Sequence, residues 1–329
     1  MHAALTKPLD WLAIQLGWSS VRRSPVIVRS GAELAAALSS CEWTTEFVTP
    51  PTDLALTERM AFHFTSLLAT PWPANNTVHG RLFPCGADWR QRPTVVLLHG
   101  WNGELQFATH FPYWARKLRR VGVNAAMIEL PYHGRRRPRG PGAVTNFISG
   151  DVLRVLEATR QALADVRALV AWLAGQGCPA VGLWGVSLGA WLSGLLACIE
   201  PRLQFAVLLS PVADIERAVG ELAFCEPIRR ALANTPVPLR ALNLAAQQPR
   251  LPPDRILILK SEHDLLAPAQ TIEELWEAWR RPELWRLPHG HISVLLDWVV
   301  LERTVRWIGK KAVAARTHAA PAAPRCSEP

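Results

Sequence analysis

The chain has 329 residues, 49% hydrophobic and 19% charged, which is enough to bury the core of one large α/β domain with an insertion. Its net charge of +9 suits an anionic partner, yet the basic residues are dispersed and cluster only at Arg135-Arg136-Arg137-Pro138-Arg139. Without stacking aromatics or a groove-reading motif no nucleic-acid partner is expected, and acidic lipid headgroups or an anionic substrate are the alternatives.

The six cysteines, Cys41, Cys85, Cys178, Cys198, Cys225 and Cys326, show no C-x-x-C and no paired spacing, so free thiols in a cytoplasmic protein are expected. Residues 9–18 are apolar but too short to span a bilayer, and no small-residue cleavage site follows them. Leu9, Leu12, Ile14, Leu16 and Trp18 there make an imperfect apolar face, which fits either a helix packed on the domain or one touching a membrane surface. Residues 30–40 read as a second short helix, so residues 1–60 form a helical extension without evident chemistry. From residue 61 the period changes: Phe62, Phe64 and Ser66 alternate with His63 and Thr65, residues 71–76 supply a turn, and residues 77–83 return as a strand. His63 and His79 on this hairpin read as structural histidines. Asn75-Asn76-Thr77 matches a glycosylation acceptor, a match without meaning in a cytoplasmic chain.

Residues 94–98 (T-V-V-L-L) are the continuous apolar run of a strand covered on both faces, ending in His99-Gly100-Trp101-Asn102-Gly103. A glycine-bearing turn there lets a backbone N–H point into a site, as half of an oxyanion hole; a plain strand-to-helix turn is the alternative. A helix over 107–120 and a strand over 124–129 lead to Leu130-Pro131-Tyr132-His133-Gly134. His133 reads as a turn residue that could also reach a substrate, and the arginine run after it as a solvated loop. Residues 151–175 form a long amphipathic helix.

A buried strand over 180–184 then runs into Gly185-Val186-Ser187-Leu188-Gly189 and a helix over 190–198. This is G-x-S-x-G in a strand–turn–helix setting, where a serine sits in strained backbone and a β-carbon at 185 or 189 would crowd the neighbouring strand and helix. Ser187 is the candidate nucleophile; the N–H of Leu188 and the dipole of the following helix point at the same spot. The strand–helix alternation predicts a mostly parallel sheet. After the sixth strand, 205–209, residues 212–253 are broken by prolines into short helices and read as a lid, with Leu222, Phe224, Leu239 and Leu242 facing either the substrate or the body. The strand 255–260 ends in Ser261-Glu262-His263-Asp264, where a carboxylate can orient an imidazole; Glu262 is the competing acid, and capping a helix is the other role open to Asp264. A short strand over 284–287 precedes Pro288-His289-Gly290-His291. A histidine preceded by glycine, on a loop before the last helix, favours His291 as base and leaves His289 to shape the loop. No further ligands accompany this H-x-H, so no metal or cofactor is expected. Residues 292–308 close the fold as a helix, and the Ala-, Pro- and Arg-rich residues 310–329 are expected to be disordered.

The order H-G-W-N-G, G-V-S-L-G, E-H-D-L-L-A-P, G-H-I-S makes residues 61–309 resemble an α/β-hydrolase fold protein of the serine esterase or lipase type, with a central sheet flanked by helices. P-Y-H-G-R-R-R-P and the long helix before the elbow are similar to the α/β-hydrolase domain-containing type 18 family, which has been tied to lipid deacylation. The resemblance implies hydrolysis of a small-molecule or lipid ester through an acyl-enzyme. In it Ser187 is the nucleophile, His291 the base and Asp264 the orienting acid, while the N–H groups of Trp101 and Leu188 form the oxyanion hole. Amides, thioesters and carbon–carbon bonds are other substrates for such a triad, and a silent scaffold that binds a partner is the reading from outside enzymology.

Overall fold

The structure, a computed structural model, describes residues 3–21, 24–39, 50–140, 147–235, 237 and 239–318. Cys41, Cys326 and residues 319–329 of the expected tail lie outside the described residues. Helices α1 (Ala3–Val21) and α2 (Gly31–Ser39) come first. A capping box starts α2: Glu33 N–H donates to Ser30 Oγ at 3.2 Å, and Ser30 N–H donates to Glu33 Oε2 at 2.9 Å. A two-residue strand β1 (Ala55–Leu56) pairs with the expected hairpin, β2 (Ala61–Thr65) and β3 (Thr77–Phe83), in which His63 stands opposite His79. In the hairpin connection Asn75 is buried; its side chain donates to Gln161 Oε1 at 2.7 Å and accepts from Tyr132 N–H at 2.9 Å, so this asparagine is a core bracket.

The alternating part follows: β4 (Thr94–Leu98), α3 (Phe111–Arg119), β5 (Asn124–Ile128), α4 (Val152–Gly175), β6 (Val181–Val186), α5 (Leu188–Ile199) and β7 (Leu203–Leu209). Then come α6 (Ile215–Glu221), α7 (Glu226–Leu232), β8 (Ile256–Ser261), α8 (Ala269–Ala278), β9 (Glu283–Leu287) and α9 (Trp298–His318). The strands form one sheet in the order β1-β2-β3-β5-β4-β6-β7-β8-β9, parallel from β5 to β9 and antiparallel at the β1–β3 end. Every residue of β4, β5, β6 and β8 is buried, because helices cover both faces. The period of two splits each apolar run between two cores: Val96 and Leu98 join α4 and α5 on one face, and Val95 and Leu97 join α3 and α9 on the other. On the second face Trp114 stacks on Trp184 with centroids 4.2 Å apart.

Three expectations are corrected. Because β1 precedes the hairpin, the insertion follows the seventh strand rather than the sixth. The arginine run is not a solvated loop: Arg136 is fully buried and pairs with Asp165 at 2.8 Å, while Arg135 pairs with Glu129 at 2.9 Å and Arg137 with Glu104 at 2.6 Å. The last helix does not run over 292–308; a short 3-10 turn (Ser293–Leu296) is followed by α9, which continues past Gly309 to His318. Val305, Ile308 and Ala312 extend its buried stripe at helical spacing, so burial keeps the start of the expected tail helical. In α1, whose apolar face fits either of two packings, only Ile14 of that face packs partly against the core among the described residues. The buried stripe of the helix is Thr6, Asp10, Gly17 and Val21, whereas Leu9, Trp11, Leu12 and Leu16 face outward.

Candidate active site

The nucleophile turn has the strain its sequence foretells. Ser187 lies at φ 53° and ψ −113°, a conformation that costs about 1–3 kcal/mol unless the surroundings enforce it. They do: Ser187 N–H donates to Leu209 O at 2.9 Å, and Trp191 N–H donates to Ser187 O at 2.9 Å. A Cβ at Gly185 would stand 2.1 Å from Gly189 O, and one at Gly189 would stand 2.2 Å from Leu98 O, so only glycine lets β4, β6 and α5 approach this closely. The side chain of Ser187 is thereby presented at the carboxyl end of the sheet, where its Oγ makes no hydrogen bond among the described residues.

The candidate acid and the candidate base come from separate loops. One oxygen of the buried Asp264 carboxylate accepts the N–H groups of Leu266 at 2.8 Å and Ala267 at 2.7 Å, and the other accepts His291 Nδ1–H at 2.7 Å. The turn-capping and imidazole-orienting roles therefore coexist on one side chain. With Nδ1 committed to donation, Nε2 is the acceptor of the neutral ring. Burial opposes a charge on His291, but the neighbouring Asp264 carboxylate and the Asp10 carboxylate outweigh it and raise its pKa. His289 turns away and pairs through Nε2 with Asp297 at 2.8 Å. Glu262 is taken by Lys260 at 3.2 Å.

The loop after β4 has its amides almost fully committed. Gly100 N–H donates to Gln106 Oε1 at 2.8 Å, and Asn102 N–H donates to His133 Nε2 at 3.2 Å. His99 accepts Leu130 N–H at Nε2 (3.1 Å) and donates from Nδ1 to Gly100 O (2.8 Å), while His133 donates from Nδ1 to Pro131 O at 2.8 Å. Both rings are buried and held neutral: burial lowers their pKa values, that of His133 strongly. Between the two committed amides, the N–H of Trp101 has no acceptor among the described residues. Leu188 N–H opens α5, where first-turn amides lack intrahelical partners.

Ser187, His291, Gly100, Trp101 and Leu188 all line one cavity of about 510 Å³, with Asp264 behind His291. The insertion walls it: Leu222, Phe224, Leu239 and Leu242 line the cavity and also pack into the core shared with α4 and α5. No Asp, Glu, Lys or Arg lines it among the described residues. Cys225 is also in the wall, but burial pushes its thiol up to about 12, so it is no competing nucleophile at neutral pH.

Sequence reasoning missed two groups, Gln106 and Asp10, and placed His133 in a turn without its partner. His133 and Gln106 brace the loop after β4, and only the tertiary fold reveals their partners. Asp10 reaches the base loop from α1, with its carboxylate accepting His291 N–H at 2.8 Å; a lone carboxylate in an apolar stretch was the available signal.

Comparison with known proteins identifies the family and the fold. A model of the alpha/beta hydrolase family matches residues 95–327. Curated relatives include an uncharacterized protein of Mycobacterium tuberculosis, found in two strains, 33% identical over 211 residues that make up 61% of this chain and 50% of the relative. The chain thus spans about half the length of the curated relatives it matches. Among solved structures, acetyl xylan esterase 1 from a Thermoanaerobacterium species superposes with a TM-score of 0.59 at 15% identity, over 88% of this chain and 96% of the other. An esterase of Pyrococcus furiosus gives 0.54 at 17% identity, over 81% and 98%. At these identities the likeness is one of fold. The matched segment takes in the loop after β4, the serine turn, the acid turn and the base loop, and the chain belongs to the alpha/beta hydrolase family.

Proposed function

We propose that this chain is a serine hydrolase of carboxylic esters with apolar acyl groups. The observation that carries the reading is Ser187, raised at positive φ into an uncharged cavity that is also lined by His291, itself bonded to Asp264. Ser187 Oγ attacks the acyl carbon as its proton passes to His291 Nε2, and the carbonyl electron pair moves onto oxygen, where the N–H groups of Trp101 and Leu188 receive it. Collapse breaks the bond to the alcohol, which leaves with the proton from His291. Water then gives a proton to the same nitrogen, attacks the acyl-enzyme and releases the acid as Ser187 recovers its proton. Asp264 holds the ring and stabilises its charged form; each oxyanion donor contributes on the order of 10²–10³ in rate.

The lining favours an aliphatic acyl chain: Leu156, Ala218, Phe224, Ile228 and Leu242 form walls that would strand a charged group without a partner. Leu16, Leu105 and Leu296 line the cavity and are also 63%, 67% and 64% exposed, so the mouth has an apolar rim. This rim, with Leu9, Trp11 and Leu12 on the outer face of α1, favours a lipid surface as the source of the ester and peripheral contact through residues 9–18. No helix of the described residues is long and apolar enough to cross a membrane. Free thiols at Cys85, Cys178, Cys198 and Cys225 support a reducing, cytoplasmic setting.

The test is fluorophosphonate labelling of wild type and Ser187→Ala, followed by acyl esters of increasing length. Labelling lost in the variant, with an optimum above short acyl chains, supports the reading; label retained in Ser187→Ala, or no ester turned over by the folded wild type, overturns it. For the membrane contact, vesicle sedimentation of wild type beside Trp11→Asp/Leu12→Asp decides, and equal recovery in the supernatant would sink it.

A further inference from the structure

Helix α1 takes no part in the chemistry above, yet it reaches the catalytic loops at two points. Asp10 is fully buried, and its carboxylate accepts three backbone N–H groups: His291 at 2.8 Å, Ile292 at 3.0 Å and Leu265 at 3.2 Å. Leu265 directly follows Asp264, so one side chain ties the loop of the acid to the loop of the base. Gly290 leaves the room for it, since a Cβ there would lie 2.8 Å from Asp10 Oδ2. Two turns along, Gly17 seats the helix on the Trp101 indole, where a Cβ would stand 2.7 Å from the ring. A carboxylate is costly to bury unless its oxygens are bonded, and loop amides are equally costly to leave unpaired. Each meets the other's need here. Asp10 forms no ion pair among the described residues, so its charge is answered by amides alone.

We propose that Asp10 is a positioning residue for the hydrolysis: it fixes the main chain of His291, and through it the imidazole between Asp264 and Ser187. The inference rests on the Ser187–His291–Asp264 reading. It makes α1 a working part of the site, although α1 lies well before the residues that match the family model. The charged groups facing His291 are Asp264 from the turn after β8 and Asp10 from α1, and both favour the imidazolium. The ring must be neutral to accept the Ser187 proton. Removing the Asp10 charge therefore lets the ring become neutral at lower pH.

The full chain is assayed on p-nitrophenyl butyrate as wild type, Asp10→Asn, Gly290→Ala and Ser187→Ala, with circular dichroism of each. Asn keeps one acceptor oxygen but turns an NH₂ group toward the loop amides. Asp10→Asn is expected to lower kcat roughly 10–100-fold through misplacement of the ring, to leave KM within about twofold, and to move the acidic limb of the kcat/KM profile to lower pH. An unchanged kcat with an unmoved limb overturns the proposal, as does a loss explained by a smaller folded fraction with the limb in place. Should Asp10→Asn not fold, Gly290→Ala decides, because it keeps the charge and pushes the loop off the carboxylate: lower kcat in folded protein supports the proposal, and wild-type kcat overturns it. Turnover retained by Ser187→Ala would instead strike the triad reading.

Discussion

His289 and His291 stand two residues apart, and what separates them is the carboxylate each one meets. His291 donates to the buried Asp264, which is held in place by two backbone amides, whereas His289 faces Asp297 at the edge of the last helix. Ser187→Ala and His291→Ala are each expected to lower kcat by about 10⁴-fold or more, and Asp264→Ala by somewhat less. His289→Ala, which removes no group from the cavity, is expected to stay within roughly tenfold of wild type. Steady-state kinetics on a single ester, with circular dichroism of each variant, checks the order; His289→Ala proving the more damaging histidine change would reverse the assignment.

Among the elements, the insertion after β7 supplies much of the cavity wall and on the proposed reading selects the substrates that fit. Its short helices place Ala218, Leu222, Phe224 and Ile228 in the cavity wall, opposite Leu156 and Thr159 of α4. Ala218 is the small residue of that wall, so Ala218→Trp fills acyl space without touching the catalytic loops. The expected outcome is an optimum moved to shorter acyl chains, with turnover of an acetyl ester within about threefold of wild type; an unmoved optimum would mean that the chain runs elsewhere. The loop after β4 is the second such element. Its shape is imposed partly from outside the motif, by His133 and Gln106, and so H-G-W-N-G alone could not say which amide stays free.

At the scale of the whole molecule, two buried polar groups couple stability to conditions. Arg136 crosses the space between the hairpin and α4 to reach Asp165, and also donates to the carbonyls of Asn75 and Glu129. Burial pushes the Asp165 carboxyl up, with Arg136 acting against it, so the acid depends on its partner. Arg136→Met is expected to cost about 3–5 kcal/mol in urea unfolding, and Arg136→Met/Asp165→Leu to recover part of it. The second group is the neutral pair His99 and His133, whose pKa values lie below the ordinary imidazole range in the fold. In the unfolded chain both bind protons below about pH 6.5, while the fold keeps them neutral, so stability is complete above that pH and falls as the pH drops through it. The slope is at most about 1.4 kcal/mol per pH unit for each ring. Tm measured from pH 7.5 to 5 should fall, and less steeply in His133→Asn.

The candidate site residues that line or back one cavity could be picked from the sequence because each stands next to its own local signal: glycines on either side of Ser187, an apolar strand before the loop of Trp101 and before Asp264, a glycine before His291. The mostly parallel sheet was legible too, since runs such as 94–98 and 180–184 are apolar without alternation and so must be covered on both faces. Local patterning cannot reveal partners that the chain brings together from far apart. It made Arg136 a solvated residue, because burying a guanidinium is unfavourable until Asp165 and two carbonyls are supplied from elsewhere. It ended the last helix at residue 308, because the hydrophobic surface that buries Ala312 belongs to other elements. It also left open which side of α1 packs inward. Of its apolar residues Leu16 lines the mouth of the cavity, and the side that packs inward carries Asp10, whose burial is favourable only because three loop amides need an acceptor there.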